Sequence, residues 1–346
     1  MDVYAKGDRL LRILKSFGVE SRITNVIEGA VYTVFEVRPE VGVKLSKLKG
    51  LASDLELNLP AKSVRVMACP EKSCVAIEVA NDERRTVWFR ELLDTPCNHR
   101  IPFYLGRDAM NDVVSIDIAD APHLLIGGST GSGKSVCVNN LICSILAKTK
   151  PEEVGLVLVD PKIVELSVYN GARHLIGPVI TEFEETIDML QSLVREMERR
   201  YETLRAWRVR NIAEYNAKAC TRMKYIVVVM DEFADFMAFG QRILEPMIAK
   251  LTSMARAVGI HLVLSTQRPS VDVVTGLIKA NIPSRIAFQV SSATNSRIIL
   301  DCNGAEKLLG KGDMLLSLNT EQGLRRVQGA YLDYADIQSI LHPFNG

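Results

Sequence analysis

The plainest chemistry in this chain lies in one run, Gly127-Gly128-Ser129-Thr130-Gly131-Ser132-Gly133-Lys134-Ser135. From Gly128 to Ser135 it reads G-x-x-x-x-G-K-S, the pattern of a phosphate-binding loop. Gly128, Gly131 and Gly133 let the backbone wrap closely around a triphosphate, and Ser129, Thr130 and Ser132 complete the cradle with their N–H groups turned inward. Lys134 has the reach and charge for the β- and γ-phosphates, and the Ser135 hydroxyl suits Mg²⁺. The apolar run Leu124-Leu125-Ile126 precedes the loop, and an apolar helical pattern from Val136 to Leu146 follows it. A strand feeding a helix N-terminus in this way adds a favourable dipole for an anion. ATP with Mg²⁺ is the expected ligand pair.

A second run supports the first. Tyr225-Ile226-Val227-Val228-Val229-Met230 is continuously apolar and ends in Asp231-Glu232. Such a run reads as a strand buried on both faces of a parallel sheet, with its C-terminal end at the ligand crevice. Asp231 is then placed to hold the metal, directly or through water, and Glu232 to polarise the attacking water as general base. A third strand, Gly259 to Leu264, ends in Ser265-Thr266-Gln267-Arg268-Pro269. Thr266 and Gln267 at that end would lie beside the γ-phosphate and could report its presence to the following loop. His261, on the same apolar strand, reads as a core histidine.

Positive charge is concentrated downstream. Residues 256–311 hold seven Lys or Arg against three acids, in a chain whose formal net charge is only +1. A local surplus of this kind suits phosphate backbone contacts. Phe288 is the one aromatic residue there, so base stacking on a single strand is disfavoured and duplex tracking fits better.

These groups need a scaffold. Strands are expected at 123–127, 155–159, 225–230, 260–265 and 284–290, separated by helices, which means an α/β fold with a mostly parallel sheet covered on both faces. The turn Gly310-Lys311-Gly312-Asp313 before Met314-Leu315-Leu316 predicts an antiparallel addition at one edge. Phe183, Ile187, Leu190, Val194, Met197, Tyr201 and Leu204 form an amphipathic helical stripe, which reads as a helix laid across the sheet. Residues 1–105 differ in texture. Alternating stretches at 32–37, 64–67 and 75–79, with a helical pattern from Val43 to Leu57, predict a small α+β domain without a catalytic constellation. The second domain is expected to span 106–346.

Composition narrows the classes further. With 47% apolar and 24% charged residues, the chain reads as a soluble globular protein. Its seven scattered cysteines form no Cys-x-x-Cys pair, which points to reduced thiols in a cytoplasmic setting and against a zinc site or disulfide frame. No apolar run reaches the length that spans a bilayer.

The motifs taken in order resemble the FtsK/SpoIIIE family of DNA translocases. The resemblance rests on Gly127 to Ser135, Val159-Asp160-Pro161-Lys162, Asn211-Ile212 with Tyr215-Asn216, Met230 to Asp235, Ser265 to Pro269 and Gly304 to Leu315. It covers nearly the whole chain. It implies a RecA-like P-loop domain preceded by the small domain, and a hexameric ring that pumps double-stranded DNA at the expense of ATP. It also implies that Arg268, Lys279 and Arg297 contact DNA and that Arg256 acts as an arginine finger on a neighbour's nucleotide. The family's membrane anchor, linker and C-terminal winged helix do not occur in these 346 residues. Ala293 stands where the family commonly has a basic residue, and Glu28-Gly29-Ala30-Val31 replaces a Gly-Pro-x-Val approach. Relatives that serve conjugation, genome packaging or type VII protein export are the alternatives.

Overall fold

The computed structural model describes residues 2–69, 72–320 and 323–341. It contains two compact units. The first comprises residues 1–87, 106–114 and 326–328, and the second 88–105, 115–325 and 329–346.

The first unit is built on a four-stranded antiparallel sheet, β1 (Ser21–Glu28), β2 (Tyr32–Pro39), β3 (Val64–Cys69) and β4 (Cys74–Ala80), in the order β1-β2-β4-β3. The helices Val3–Ser16, Leu45–Gly50 and Ala52–Asn58 supply Leu10, Leu14, Leu48 and Leu55 to a core shared with Phe35, Val37, Ile77 and Val79. The helix expected over Val43 to Leu57 is two short helices instead, broken at Gly50-Leu51. Glycine is a poor helix former, and Gly50 ends the first of the two.

The remaining strands are β5 (Pro102–Asp108), β6 (Val113–Asp117), β7 (His123–Gly127), β8 (Val154–Val159), β9 (Tyr225–Met230), β10 (Ile260–Thr266), β11 (Ser284–Phe288), β12 (Asp313–Ser317) and β13 (Arg325–Gly329). They form a nine-stranded sheet in the order β6-β5-β13-β12-β11-β7-β10-β9-β8. The five strands from β11 to β8 are all parallel. β12 pairs antiparallel with β11, but it is not the edge expected from the Gly310–Asp313 turn. β13, β5 and β6 extend the sheet beyond it; β13 follows β12 and β6 follows β5 closely in the chain, but the pairing of β13 with β5 joins residues over two hundred positions apart and is beyond the reach of a local turn signal.

The stripe Phe183 to Leu204 belongs to the helix Phe183–Ala206. With the helix Phe233–Met254 it packs on the face that carries Leu125, Val228, Met230 and Leu262. The intervening residues Leu124, Ile126, Val227, Val229 and Val263 are equally buried. Both faces of the parallel strands are therefore covered, and only their ends reach polar surroundings.

Candidate nucleotide site

β7 ends at Gly127, and the next helix, Lys134–Lys148, begins at Lys134. The N-cap is Gly133 in a left-handed conformation (φ 111°), and no side chain caps the helix. Its first N–H groups have no intrahelical partner and lie open to an anion. Gly133 is required for space as well as for φ, because a Cβ there would stand 2.6 Å from the Gly312 backbone nitrogen. The Gly312 N–H donates to the Ser132 carbonyl at 2.8 Å, and the Ser129 N–H donates to the Gln289 carbonyl at 2.9 Å. The end of β11 and the turn before β12 thus brace the loop. Within the cradle the Ser132 hydroxyl is buried without a hydrogen-bond partner among the described residues. An unspent polar atom in a backbone cradle fits a phosphate group.

Parallel register sets Met230 beside Val159 and Leu264, so the polar ends of β8, β9 and β10 meet. Lys134 Nζ lies 2.5 Å from Asp231 Oδ1 and donates to Ser265 Oγ at 2.6 Å. The Ser265 hydroxyl donates to the same Asp231 oxygen at 3.0 Å. All three side chains are buried. The half-buried Ser135 sits one residue on, in the first helical turn. Among the described residues no cluster of three or more His, Cys, Asp or Glu is arranged to hold a metal. A cation here needs the Ser135 hydroxyl, Asp231 and phosphate oxygens together, a donor set suited to Mg²⁺.

Glu232 follows in a left-handed conformation (φ 46°, ψ 54°) and is fully buried. A bulky residue at such angles costs about 1–3 kcal/mol and is retained only when its surroundings over-determine it. Here Oε1 accepts from the Thr266 hydroxyl at 2.8 Å, Oε2 accepts from the Gln267 N–H at 3.0 Å, and Lys162 Nζ lies 3.6 Å from Oε2. The Thr130 hydroxyl donates to Gln267 Oε1 at 2.6 Å, tying the tip of the phosphate loop to the end of β10. Lys162 is held by the turn before it. The buried Asp160 carboxylate accepts from the backbone N–H groups of Lys162, Val164, Glu165 and Leu166 at 3.0–3.1 Å.

The basic residues stand apart from this cluster. Arg256 is exposed on the 3₁₀ turn Ala255–Val258, ahead of β10. Thr266 is at the far end of β10 from it, a span of roughly 20 Å. Its turn is anchored by the buried Arg200, which donates to the Val258 carbonyl at 2.8 Å and to Glu196 at 2.7 Å. Arg268 is exposed, with Nη1 3.6 Å from Asp235 Oδ1. Lys279, on the helix Gly276–Asn281, pairs with Asp301, and Arg285 shares that carboxylate. Two of the seven local cations are therefore engaged internally. Arg297 is exposed on the helix Ala293–Leu300.

The strand ends thus bring together Lys134, Asp231, Glu232 and Gln267 and leave Arg256, Arg268, Lys279 and Arg297 outside. Sequence reasoning gave no individual role to Ser265, Lys162, Asp235 or Gly312. Asp-Pro-Lys directly after a strand was the available signal for Lys162, because an aspartate there caps its own turn.

The FtsK/SpoIIIE family profile matches residues 96–271, and the FtsK alpha domain profile matches residues 2–81. DNA translocase FtsK of Staphylococcus epidermidis is 47% identical over 99% of this chain, which covers 44% of that protein. DNA translocase FtsK of Clostridium tetani is 48% identical over 96% of this chain, covering 46% of that protein. The chain spans somewhat under half the length of these curated relatives. Among solved structures, the pCW3 conjugation coupling protein TcpA superposes with a TM-score of 0.68 at 24% identity, covering 98% of this chain and 99% of that one. That likeness concerns the fold alone. The type VII secretion ATPase EccC of Thermomonospora curvata superposes with a TM-score of 0.63 at 26% identity, over 75% of this chain and 32% of that one.

Proposed function

The chain belongs to the FtsK/SpoIIIE family, and from that membership we infer that it is the motor of an ATP-driven translocase for double-stranded DNA, working as a hexameric ring on the cytoplasmic side of the membrane. The RecA-like unit is the ATPase. The small α+β domain, residues 1–105, has no hydrolytic role, and residues 106–346 carry the ATPase. The observation that carries this reading is the buried cluster at the strand ends, where Lys134, Asp231, Ser265 and Glu232 converge on a braced phosphate cradle.

In this reading the backbone from Gly128 to Ser135 binds the triphosphate, and Lys134 exchanges Asp231 for the β- and γ-phosphates. Ser135 and Asp231 would hold Mg²⁺, which when bound would neutralise charge on the phosphate oxygens. Glu232 orients the attacking water and takes its proton. Gln267, fastened to both Thr130 and Glu232, senses the γ-phosphate. Arg256 completes the site of the adjacent subunit, since it is too far from its own. Arg268, Lys279 and Arg297 grip the DNA backbone. No helix among the described residues is long and apolar enough to cross a membrane.

The test is hydrolysis in the presence of duplex DNA, single-stranded DNA or peptide, combined with triplex displacement on linear duplex. Duplex-specific stimulation with displacement supports a translocase. The likeness to EccC favours peptide export as the second reading, and stimulation by peptide alone would establish it in place of the first. Displacement without chromosomal targeting would fit a conjugation or packaging motor.

A further inference from the structure

Four charged side chains alternate in sign from the surface to the centre of the site. Arg268 Nη1 lies 3.6 Å from Asp235 Oδ1, Lys162 Nζ lies 3.8 Å from Asp235 Oδ2, and the same Nζ lies 3.6 Å from Glu232 Oε2. The Arg268 side chain is 66% exposed at one end of this series, and Glu232 is 1% exposed at the other. Asp235 and Glu232 share one corner, because the Asp235 N–H donates to the Glu232 backbone carbonyl at 3.0 Å at the start of the helix Phe233–Met254. Lys162 approaches that corner from the Asp160 turn at the end of β8. One ammonium group is therefore divided between two carboxylates on a common rigid element.

Arg268 governs the division. While its guanidinium neutralises Asp235, that carboxylate competes weakly for Lys162, and the ammonium stays with Glu232. A phosphate group that draws Arg268 outward restores the full charge of Asp235, which then attracts Lys162. General-base catalysis needs a carboxylate free to accept a proton, and an ammonium bound to it competes with that proton. Partly exposed ion pairs at these distances add little to stability. They suffice here, because only the partition of one side chain has to change.

Resting on the reading of Glu232 as the base and Arg268 as a phosphate contact, we propose that Lys162 and Asp235 are positioning residues that transmit DNA engagement at Arg268 to Glu232. The experiment measures kcat and KM for ATP without DNA, and then with saturating duplex, for the whole chain and its variants. Arg268→Ala mimics withdrawal of the guanidinium. It should raise the DNA-free kcat about two- to five-fold, the range of a partly exposed ion pair, with KM unchanged. Lys162→Met should raise kcat similarly and abolish the effect of Arg268→Ala in the double variant. Lys162→Arg should restore the low DNA-free rate. Asp235→Asn should keep Lys162 on Glu232 and blunt the response to duplex. An Arg268→Ala variant with an unchanged DNA-free rate, or one additive with Lys162→Met, overturns the relay while wild-type stimulation by duplex leaves the translocase reading standing. A Lys162→Met variant that binds ATP but no longer hydrolyses it also overturns the relay, since Lys162 would then act directly. A wild type that hydrolyses ATP yet ignores duplex overturns the role of Arg268 and the relay with it.

Discussion

Lys134 Nζ and Asp231 Oδ1 stand 2.5 Å apart, and both side chains are almost fully buried. The pair joins the first turn of the P-loop helix to the end of β9, so the nucleotide site is also a structural contact. Lys134→Ala should abolish hydrolysis and weaken ATP binding. It should also lower Tm, because stranding one member of a buried ion pair costs about 3–5 kcal/mol. Glu232→Gln is expected to behave differently. Asp231 keeps its charge, so ATP should still bind while turnover stalls. Nucleotide binding, single-turnover hydrolysis and thermal melts separate the two variants. Wild-type hydrolysis by Glu232→Gln would remove Glu232 as the base.

The phosphate loop and the two acidic or polar strand ends were legible because each is an apolar run stopped abruptly by Gly, Asp-Glu or Ser-Thr-Gln. The helix Phe183–Ala206 was legible from its 3.6-residue stripe. What escaped notice depends on contacts between distant segments. β13 begins with Arg325-Arg326 and carries no strand alternation, yet it lies inside the nine-stranded sheet. Gly312 looked like a hairpin residue, whereas its backbone supports Ser132 and its neighbourhood excludes a Cβ from Gly133. Lys162 was visible in a motif, but its two carboxylate partners come from the turn after β9 and the first turn of the helix that follows, some seventy residues on.

His123 at the start of β7 and His261 in β10 make an acid-sensitive pair. Leu262 N–H donates to His123 Nδ1 at 3.1 Å, while His261 Nδ1 donates to the Pro122 carbonyl at 3.0 Å. Neither Nε2 has a partner among the described residues. Burial, followed by the neighbouring His261, pushes His123 down to about 3, and burial pushes His261 down to about 4. In the unfolded chain both return to about 6.5. Below that pH the unfolded state binds protons that the folded state refuses. Their contribution is fully present above about pH 6.5 and is lost as pH falls toward 4 and 3, at up to about 1.4 kcal/mol per pH unit for each histidine. Urea titrations from pH 7 to 4 should show this loss. His123→Gln should flatten it, and an unchanged slope would exclude His123 as a source.

A finger supplied by a neighbour makes hydrolysis depend on assembly. In the proposed ring Arg256, set off from its own strand-end cluster by the length of β10, serves a neighbour's nucleotide, and such a finger is worth about 10³–10⁵ in rate. ATPase per subunit should rise with protein concentration, or with DNA that nucleates a ring. Arg256→Ala should abolish the assembled rate, and in mixed rings it should silence only the sites it adjoins. Arg200→Ala should produce a partial version of the same defect, because Arg200 fastens the Val258 carbonyl of the Arg256 turn. A concentration-independent rate from a proven monomer would remove the trans mechanism.

A motor that moves along any sequence should hold phosphates and leave base edges alone. Each phosphate neutralised contributes roughly −0.9 to the slope of log affinity against log salt on duplex DNA. Arg268→Ala removes an exposed cation and should make that slope shallower on every duplex alike. Lys279→Ala should do less, because Asp301 already engages its ammonium and must be displaced before a phosphate can bind. Asp301→Asn frees Lys279 of its carboxylate, while Arg285 stays held by the Ile282, Ile299 and Lys279 carbonyls, so it should tighten duplex binding and steepen the slope through Lys279. Salt titrations of wild type and the three variants on two unrelated duplexes and one single strand compare these terms. Slopes unchanged in all three would place the DNA elsewhere on the protein, and a loss confined to one duplex would mean that bases are read.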